Sequence, residues 1–204
     1  MTPIEAIMRT SPVIPVIVIE DVAHAVPLAR ALVAGGLKVL EVTLRTPAGL
    51  EAIRLMKDVP GAIVGAGTVV NTRDLDAALE AGSEFIVSPG LTPSLGKEAV
   101  ASGIPFLPGT ANAGDIMLGL DLGLAHFKFF PASTSGGIPA LKALTGPFGG
   151  IKFCPTGGIT PETAPEWLAL EAVLCVGGSW LVPKGPPDPA RIEALARGAA
   201  GLAR

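Results

Sequence analysis

Two hydrophobic rhythms alternate along the whole chain. Residues 13–19 are β-branched almost throughout, the mark of a strand covered on both faces, as in a parallel sheet. A short amphipathic helix over residues 3–9 precedes it. Asp21 is placed to cap the next helix, which has Pro27 inside its pattern and stops at Gly35-Gly36. Further strands read at 37–43, 62–67, 85–87, 105–107, 125–131, 151–154 and 172–176. Helical spacing fills the intervals at 47–56, 72–81, 93–101, 113–122, 138–144 and 162–170, with a last helix at 189–197. Eight strands alternating with helices, and no linker or low-complexity segment between them, predict an α/β fold. The expected form is a (β/α)8 TIM barrel, a single domain over residues 1–204 with a short N-terminal helix. An open doubly wound sheet is the alternative, but no G-x-G-x-x-G opens the first helix.

Composition sharpens this picture in a few places. Charged residues make up 16% of the chain, against about 25% in an ordinary soluble domain. The surplus apolar surface suggests an interface between copies. A net charge of −3, with no basic cluster and few aromatics, speaks against nucleic acid as a partner. No apolar run is long enough to span a membrane, and residues 1–9 lack the features of a signal peptide. Cys154 and Cys175 have no zinc-type neighbours, so both read as reduced core residues of a cytoplasmic protein.

Candidate chemistry begins at Ala125-His126-Phe127-Lys128-Phe129-Phe130-Pro131. In a strand, His126, Lys128 and Phe130 share one face, and Phe127 and Phe129 share the other. A buried ammonium is costly, and the usual relief is loss of its proton. A neutral amine in a dry place is what Schiff-base chemistry needs; a strand-edge lysine reaching for water is the structural alternative. On the second strand Val39, Glu41, Thr43 and Arg45 share a face, which puts Glu41 and Thr43 inside the barrel and Arg45 at its mouth. Glu41 and Arg45 read either as a structural pair or as an acid/base group beside an anion-binding guanidinium.

Strand ends carry the remaining candidates, as barrel chemistry requires. Gly65-Ala66-Gly67-Thr68 offers close approach and a rim hydroxyl. Thr156-Gly157-Gly158 and Gly177-Gly178-Ser179 follow the last two strands, where barrels often hold a phosphate on backbone N–H groups. His126 is expected to be a hydrogen-bonded core histidine, Lys152 a side chain at the opposite barrel end, and Asp115 and Asp121 solvated. Trp180 and Phe148 read as packing residues.

Five stretches together carry a family resemblance: Glu41-Val42-Thr43-Leu44-Arg45-Thr46, Gly65-Ala66-Gly67-Thr68, Phe127-Lys128-Phe129-Phe130-Pro131-Ala132, Phe153-Cys154-Pro155-Thr156-Gly157-Gly158-Ile159 and Gly177-Gly178-Ser179-Trp180. In this order they closely resemble the bacterial 2-keto-3-deoxy-6-phosphogluconate aldolases, which often also cleave 4-hydroxy-2-oxoglutarate. The resemblance implies a class I aldolase of the Entner–Doudoroff route, a trimeric barrel without metal or other cofactor. Its Schiff-base lysine falls on Lys128 and its acid/base carboxylate on Glu41. The carboxylate-holding residues fall on Arg45 and Thr68, with Thr156 lining the same site. Phosphate-binding backbone falls on Gly157, Gly158, Gly178 and Ser179. Ser133 departs from the family pattern, since many members carry glutamate there. Two rival readings use the same barrel: a phosphosugar isomerase or epimerase with no covalent adduct, and a phosphometabolite-binding barrel without turnover.

Overall fold

Strands with apolar residues on both faces need cover on both, and the computed structural model supplies it with a closed barrel inside a coat of helices. The structure describes residues 1–183 and 185–203. The strands are β1 (Val13–Ile17), β2 (Val39–Thr43), β3 (Ile63–Gly67), β4 (Ile86–Val87), β5 (Phe106–Leu107), β6 (Gly109–Thr110), β7 (His126–Phe129), β8 (Lys152–Pro155) and β9 (Val176–Gly178). The helices are α1 (Pro3–Thr10), α2 (Ala25–Ala34), α3 (Gly49–Met56), α4 (Thr72–Glu80), α5 (Pro93–Ser102), α6 (Ala113–Asp121), α7 (Gly137–Thr145), α8 (Ala164–Leu168) and α9 (Pro189–Ala200). Several begin on side-chain caps: Asn71, Thr92, Asn112 and Asp188 each accept a backbone N–H of the first turn.

Every ladder is parallel. One arc runs β5-β4-β3-β2-β1-β9 and the other β6-β7-β8. β5 and β6 are two halves of the fifth barrel strand, parted by Pro108, which has no N–H to give a ladder. Its carbonyl still accepts from Lys128 N at 2.8 Å, so the fifth strand holds its place. Single bridges, Phe153 to Val173 and Thr156 to Gly177, join β8 to the eighth barrel strand and close the ring. The (β/α)8 barrel expected from the pattern is the fold observed.

The eighth strand differs from expectation. Residues 172–176 carry a strand-like pattern, yet the regular ladder starts only at Val176. Between the two bridges the register slips by one residue, from 153 opposite 173 to 156 opposite 177. One extra residue on the eighth strand is a bulge, and it breaks the ladder before Val176. Asp21 caps a single 3-10 turn, Val22–His24, and α2 starts after it with Pro27 in its first turn, where the missing N–H does no harm.

Alternation along the strands sorts two cores. Ile17, Val42, Ala66, Ile86, Phe127 and Phe129 pack outward against helices. Ile14, Val39, Phe85, Val87, Leu107 and Cys154 pack inward, and α1 joins them with Ile4, Ile7 and Met8. These three lie on one side of α1 by helical spacing, and they seal the barrel base. Burial of each such side chain is worth about 1.5–3 kcal/mol. The sealed base leaves the other end, where strands finish, as the barrel mouth.

Candidate active site

β7 delivers Lys128 inward while Phe127 and Phe129 go to the outer core, as alternation requires. Glu41 comes inward from β2 on the far side of the chain's sequence. Lys128 Nζ donates to Glu41 Oε1 at 3.0 Å, with the two side chains only 5% and 4% exposed. The Phe130 ring, centred 5.3 Å from Nζ, covers the amine with its π face. Such a buried pair is a poor device for stability, because desolvation offsets most of the attraction. Its contact does permit something else. One proton moved along it converts ammonium and carboxylate into amine and carboxylic acid.

Around that pair, strand ends fix the rim. Thr43 Oγ1 donates to Ile17 O at 2.9 Å, and Thr46 Oγ1 donates to Ile19 O, so the end of β2 and the turn after it are tied to the end of β1 and the segment that follows. Arg45 lies between these two anchors. It is exposed, and among the described residues it makes no ion pair. Of the two readings of Glu41 and Arg45, the structural pair is not formed: Glu41 is spoken for by Lys128. Thr68 is half-buried with φ +61, left-handed backbone that a β-branched residue adopts only when its surroundings impose it. That conformation ends β3 before Val69 N rejoins Val87 O at 3.2 Å.

The glycine turns lie on the arc next to Lys128. Thr156 N donates to Phe129 O at 2.9 Å, and Thr156 itself bridges to Gly177. A Cβ on Gly177 would sit 2.2 Å from Thr156 Oγ1, so the bare glycine gives the threonine its seat. Gly157 and Gly158 have φ +103 and +75, which turn the chain sharply at the rim. Ser133 N donates to Gly157 O at 3.0 Å, and its hydroxyl stands 2.6 Å from where a Gly158 Cβ would be. Gly178 packs under the Trp180 ring, and Ser179 is exposed beyond it. The bridge at Thr156 thus sets both glycine pairs side by side. Lys128 and Glu41 are in direct contact; Arg45, Thr68 and Ser179 reach the same mouth from separate strands without bonding to them.

Phe130 and Ser133 were not among the site residues expected, though the alternation that exposed Lys128 also put Phe130 on its face. His126 lies 3.7 Å from Glu5, an ion-pair distance and not the hydrogen bond expected. Burial pushes its imidazole below the ordinary value, while the Glu5 carboxylate acts the other way. Lys152 donates to Glu171 O at 3.1 Å, at the base. Asp115 is more than a solvated side chain: it accepts from Ala111 N at 2.8 Å at the start of α6. The surface depression between Lys142, Phe148 and Lys152 holds no buried ion pair among the described residues, unlike the barrel mouth.

Comparison with known proteins shows the family of the chain. The family model for KDPG and KHG aldolase matches residues 4–195. The 2-dehydro-3-deoxy-phosphogluconate aldolase of Zymomonas mobilis is 63% identical over 204 residues, covering 100% of this chain and 98% of its own. The KHG/KDPG aldolase of Escherichia coli is 54% identical over 200 residues, covering 96% and 94%. The crystal structure of the Zymomonas mobilis 2-keto-3-deoxy-6-phosphogluconate aldolase with 3-phosphoglycerate matches with a TM-score of 0.98 over 99% of this chain and 97% of that one. KDPG aldolase from Legionella pneumophila, 46% identical, matches with a TM-score of 0.95 over 98% and 99%; there pyruvate is captured as a covalent carbinolamine intermediate. By the family match and by these identities, the chain belongs to the KDPG and KHG aldolases, a class I lyase family.

Proposed function

We propose that this class I aldolase cleaves 2-keto-3-deoxy-6-phosphogluconate to pyruvate and glyceraldehyde 3-phosphate, and 4-hydroxy-2-oxoglutarate to pyruvate and glyoxylate. The observation that carries the assignment of residues is the Lys128–Glu41 contact of 3.0 Å, buried at the inner end of the barrel mouth. Lys128, with its proton passed to Glu41, attacks the C2 ketone through Nζ. Glu41 then gives that proton to the departing hydroxyl of the carbinolamine, so water leaves, Glu41 is a carboxylate again, and the iminium nitrogen becomes an electron sink. Glu41 takes the C4 hydroxyl proton, directly or through one water. The C3–C4 bond then breaks, its electron pair moves into the enamine, and C4 leaves as the aldehyde. Reprotonation at C3 and addition of water at C2 release pyruvate and the free lysine.

Arg45 and Thr68 hold the C1 carboxylate so that ketone and amine meet at bonding distance, and Thr156 lines the same pocket. The amides of Gly157, Gly158 and Gly178, with the Ser179 hydroxyl, take the phosphate. Binding there positions the scissile bond without a full positive charge. Borohydride reduction in the presence of pyruvate, followed by peptide mass mapping, tests the assignment. A pyruvyl adduct on the peptide carrying Lys128 is expected. No adduct on folded protein would overturn it in favour of the isomerase reading, which needs no covalent step.

The low charged fraction and exposed apolar side chains such as Val70, Met117 and Leu120 support an interface between copies, and the family resemblance supports a homotrimer of single-domain barrels working in the cytoplasm. Among the described residues no helix is long and apolar enough to cross a membrane. Sedimentation at micromolar concentration should give the trimer mass; monomer alone would overturn that assembly.

A further inference from the structure

Gly67 is the last residue of β3, and its Cα faces the barrel interior beside Thr43 in the β2–β3 register. A Cβ built there would lie 2.3 Å from Glu41 Oε1, 2.6 Å from Glu41 Cγ and 2.8 Å from Glu41 Cδ. The three nearest atoms all belong to that one side chain. The backbone of Gly67 has no positive φ, so its conformation is open to any residue. Space alone asks for glycine here. The same strand shows a contrast at Gly65, where a Cβ would strike the Phe85 ring at 2.5 Å and the constraint is ordinary core packing.

We infer that Gly67 is a positioning residue for the aldol step: its bare Cα is the seat that holds the Glu41 carboxylate against Lys128 Nζ. The carboxylate lies between a flat backbone surface on one side and the amine at 3.0 Å on the other. A methyl group added at Gly67 meets only the Glu41 side chain, from Cγ to Oε1, and no backbone among its three nearest atoms, so rotation of that side chain relieves the clash. The carboxylate swings away, the fold survives, and the proton-transfer contact opens. The role rests on the aldolase reading, whereas the steric contact does not.

Gly67→Ala tests both. Turnover of the phosphorylated substrate should fall about 10²-fold, the scale for a displacement near 1 Å of a reacting group. KM should stay within about threefold, because the carboxylate- and phosphate-holding groups are untouched. In a Glu41→Gln background the same substitution should cost less than about threefold, since the group it displaces no longer transfers protons. A general packing defect would cost the same factor in both backgrounds. Melting provides the measurement independent of activity. Gly67→Ala should lower Tm by about 2–12 °C in the wild-type background, the range expected of overpacking. In Glu41→Ala, where the clashing side chain is gone, it should leave Tm unchanged or raise it. Wild-type turnover in Gly67→Ala, or an equal Tm loss in both backgrounds, overturns the inference. A missing borohydride adduct in the wild-type protein removes the aldolase reading instead, and leaves the melting comparison standing.

Discussion

Strand β7 carries two basic side chains on one face, and each meets a glutamate from elsewhere in the chain. His126 faces Glu5 at 3.7 Å, and Lys128 faces Glu41 at 3.0 Å. Two residues along a strand is about 6.5 Å, so the pairs are near neighbours. Their settings differ sharply. The His126 pair lies where Ile4, Ile7 and Met8 of α1 seal the barrel, and Glu5 is also engaged by Arg9 Nε at 2.8 Å. The Lys128 pair lies toward the open end, ringed by Thr43, Thr156 and the glycine turns. A pairing of opposite charges is therefore not itself the mark of function. What distinguishes the second pair is an open mouth above it, on which polar groups converge from several strand ends, Arg45 among them with no ion pair among the described residues.

The largest effects should appear at the mouth. Lys128→Met should abolish both turnover and borohydride trapping with pyruvate. Residual trapping on Lys152, the lysine at the base, would break the distinction between the two ends. Glu41→Gln should reduce turnover by about 10²-fold or more, the usual loss for a general acid/base. A wild-type rate in that variant would place Glu41 beside Glu5 as a structural partner. Next in size is the phosphate turn. Alanine at Gly157 and Gly158 must enter φ values of +103 and +75, which pulls the amides out of line. The kcat/KM for the phosphorylated substrate should fall about 10- to 100-fold, the worth of a charge-assisted hydrogen bond or two. The loss on 4-hydroxy-2-oxoglutarate should be smaller; equal losses would mean that the turn matters only for folding.

The mouth was more legible in the sequence than the base, for a physical reason. Period-two alternation assigns Glu41, Thr43, Lys128 and Phe130 to inward faces from local pattern alone, and strand-end glycines mark turns wherever they occur. Local pattern also found α1, but it could not say that Ile4, Ile7 and Met8 would close the barrel. Contacts between distant segments were beyond it as well. Lys128 and Glu41 are 87 residues apart, and only the closed register of the barrel brings them to 3.0 Å. The Gly67 seat depends on that same register. The bulge before Val176 left no signal, because Leu174 and Cys175 are good strand residues on either side of the slip. The split of the fifth strand could have been read from Pro108, which cannot donate to a ladder.

The smallest effect should come from the base, and it would sharpen the comparison by its pH dependence. Burial holds the folded-state pKa of His126 below the ordinary 6.5, with Arg9 and Lys152 pushing the same way and Glu5 opposing. As pH falls through about 6.5 the unfolded chain takes up a proton that the folded chain refuses. Stability is therefore complete above that value and declines toward the lower folded-state pKa. His126→Gln removes the titration. Its unfolding free energy should be flatter than wild type between about pH 6.5 and 5, above the range where carboxylates dominate, and turnover at pH 8 should be unchanged. An identical acid slope in the variant would mean that the imidazole takes its proton freely in the folded state. A fall in turnover at pH 8 would mean that the base pair is coupled to the mouth through β7, and that the two ends are one device.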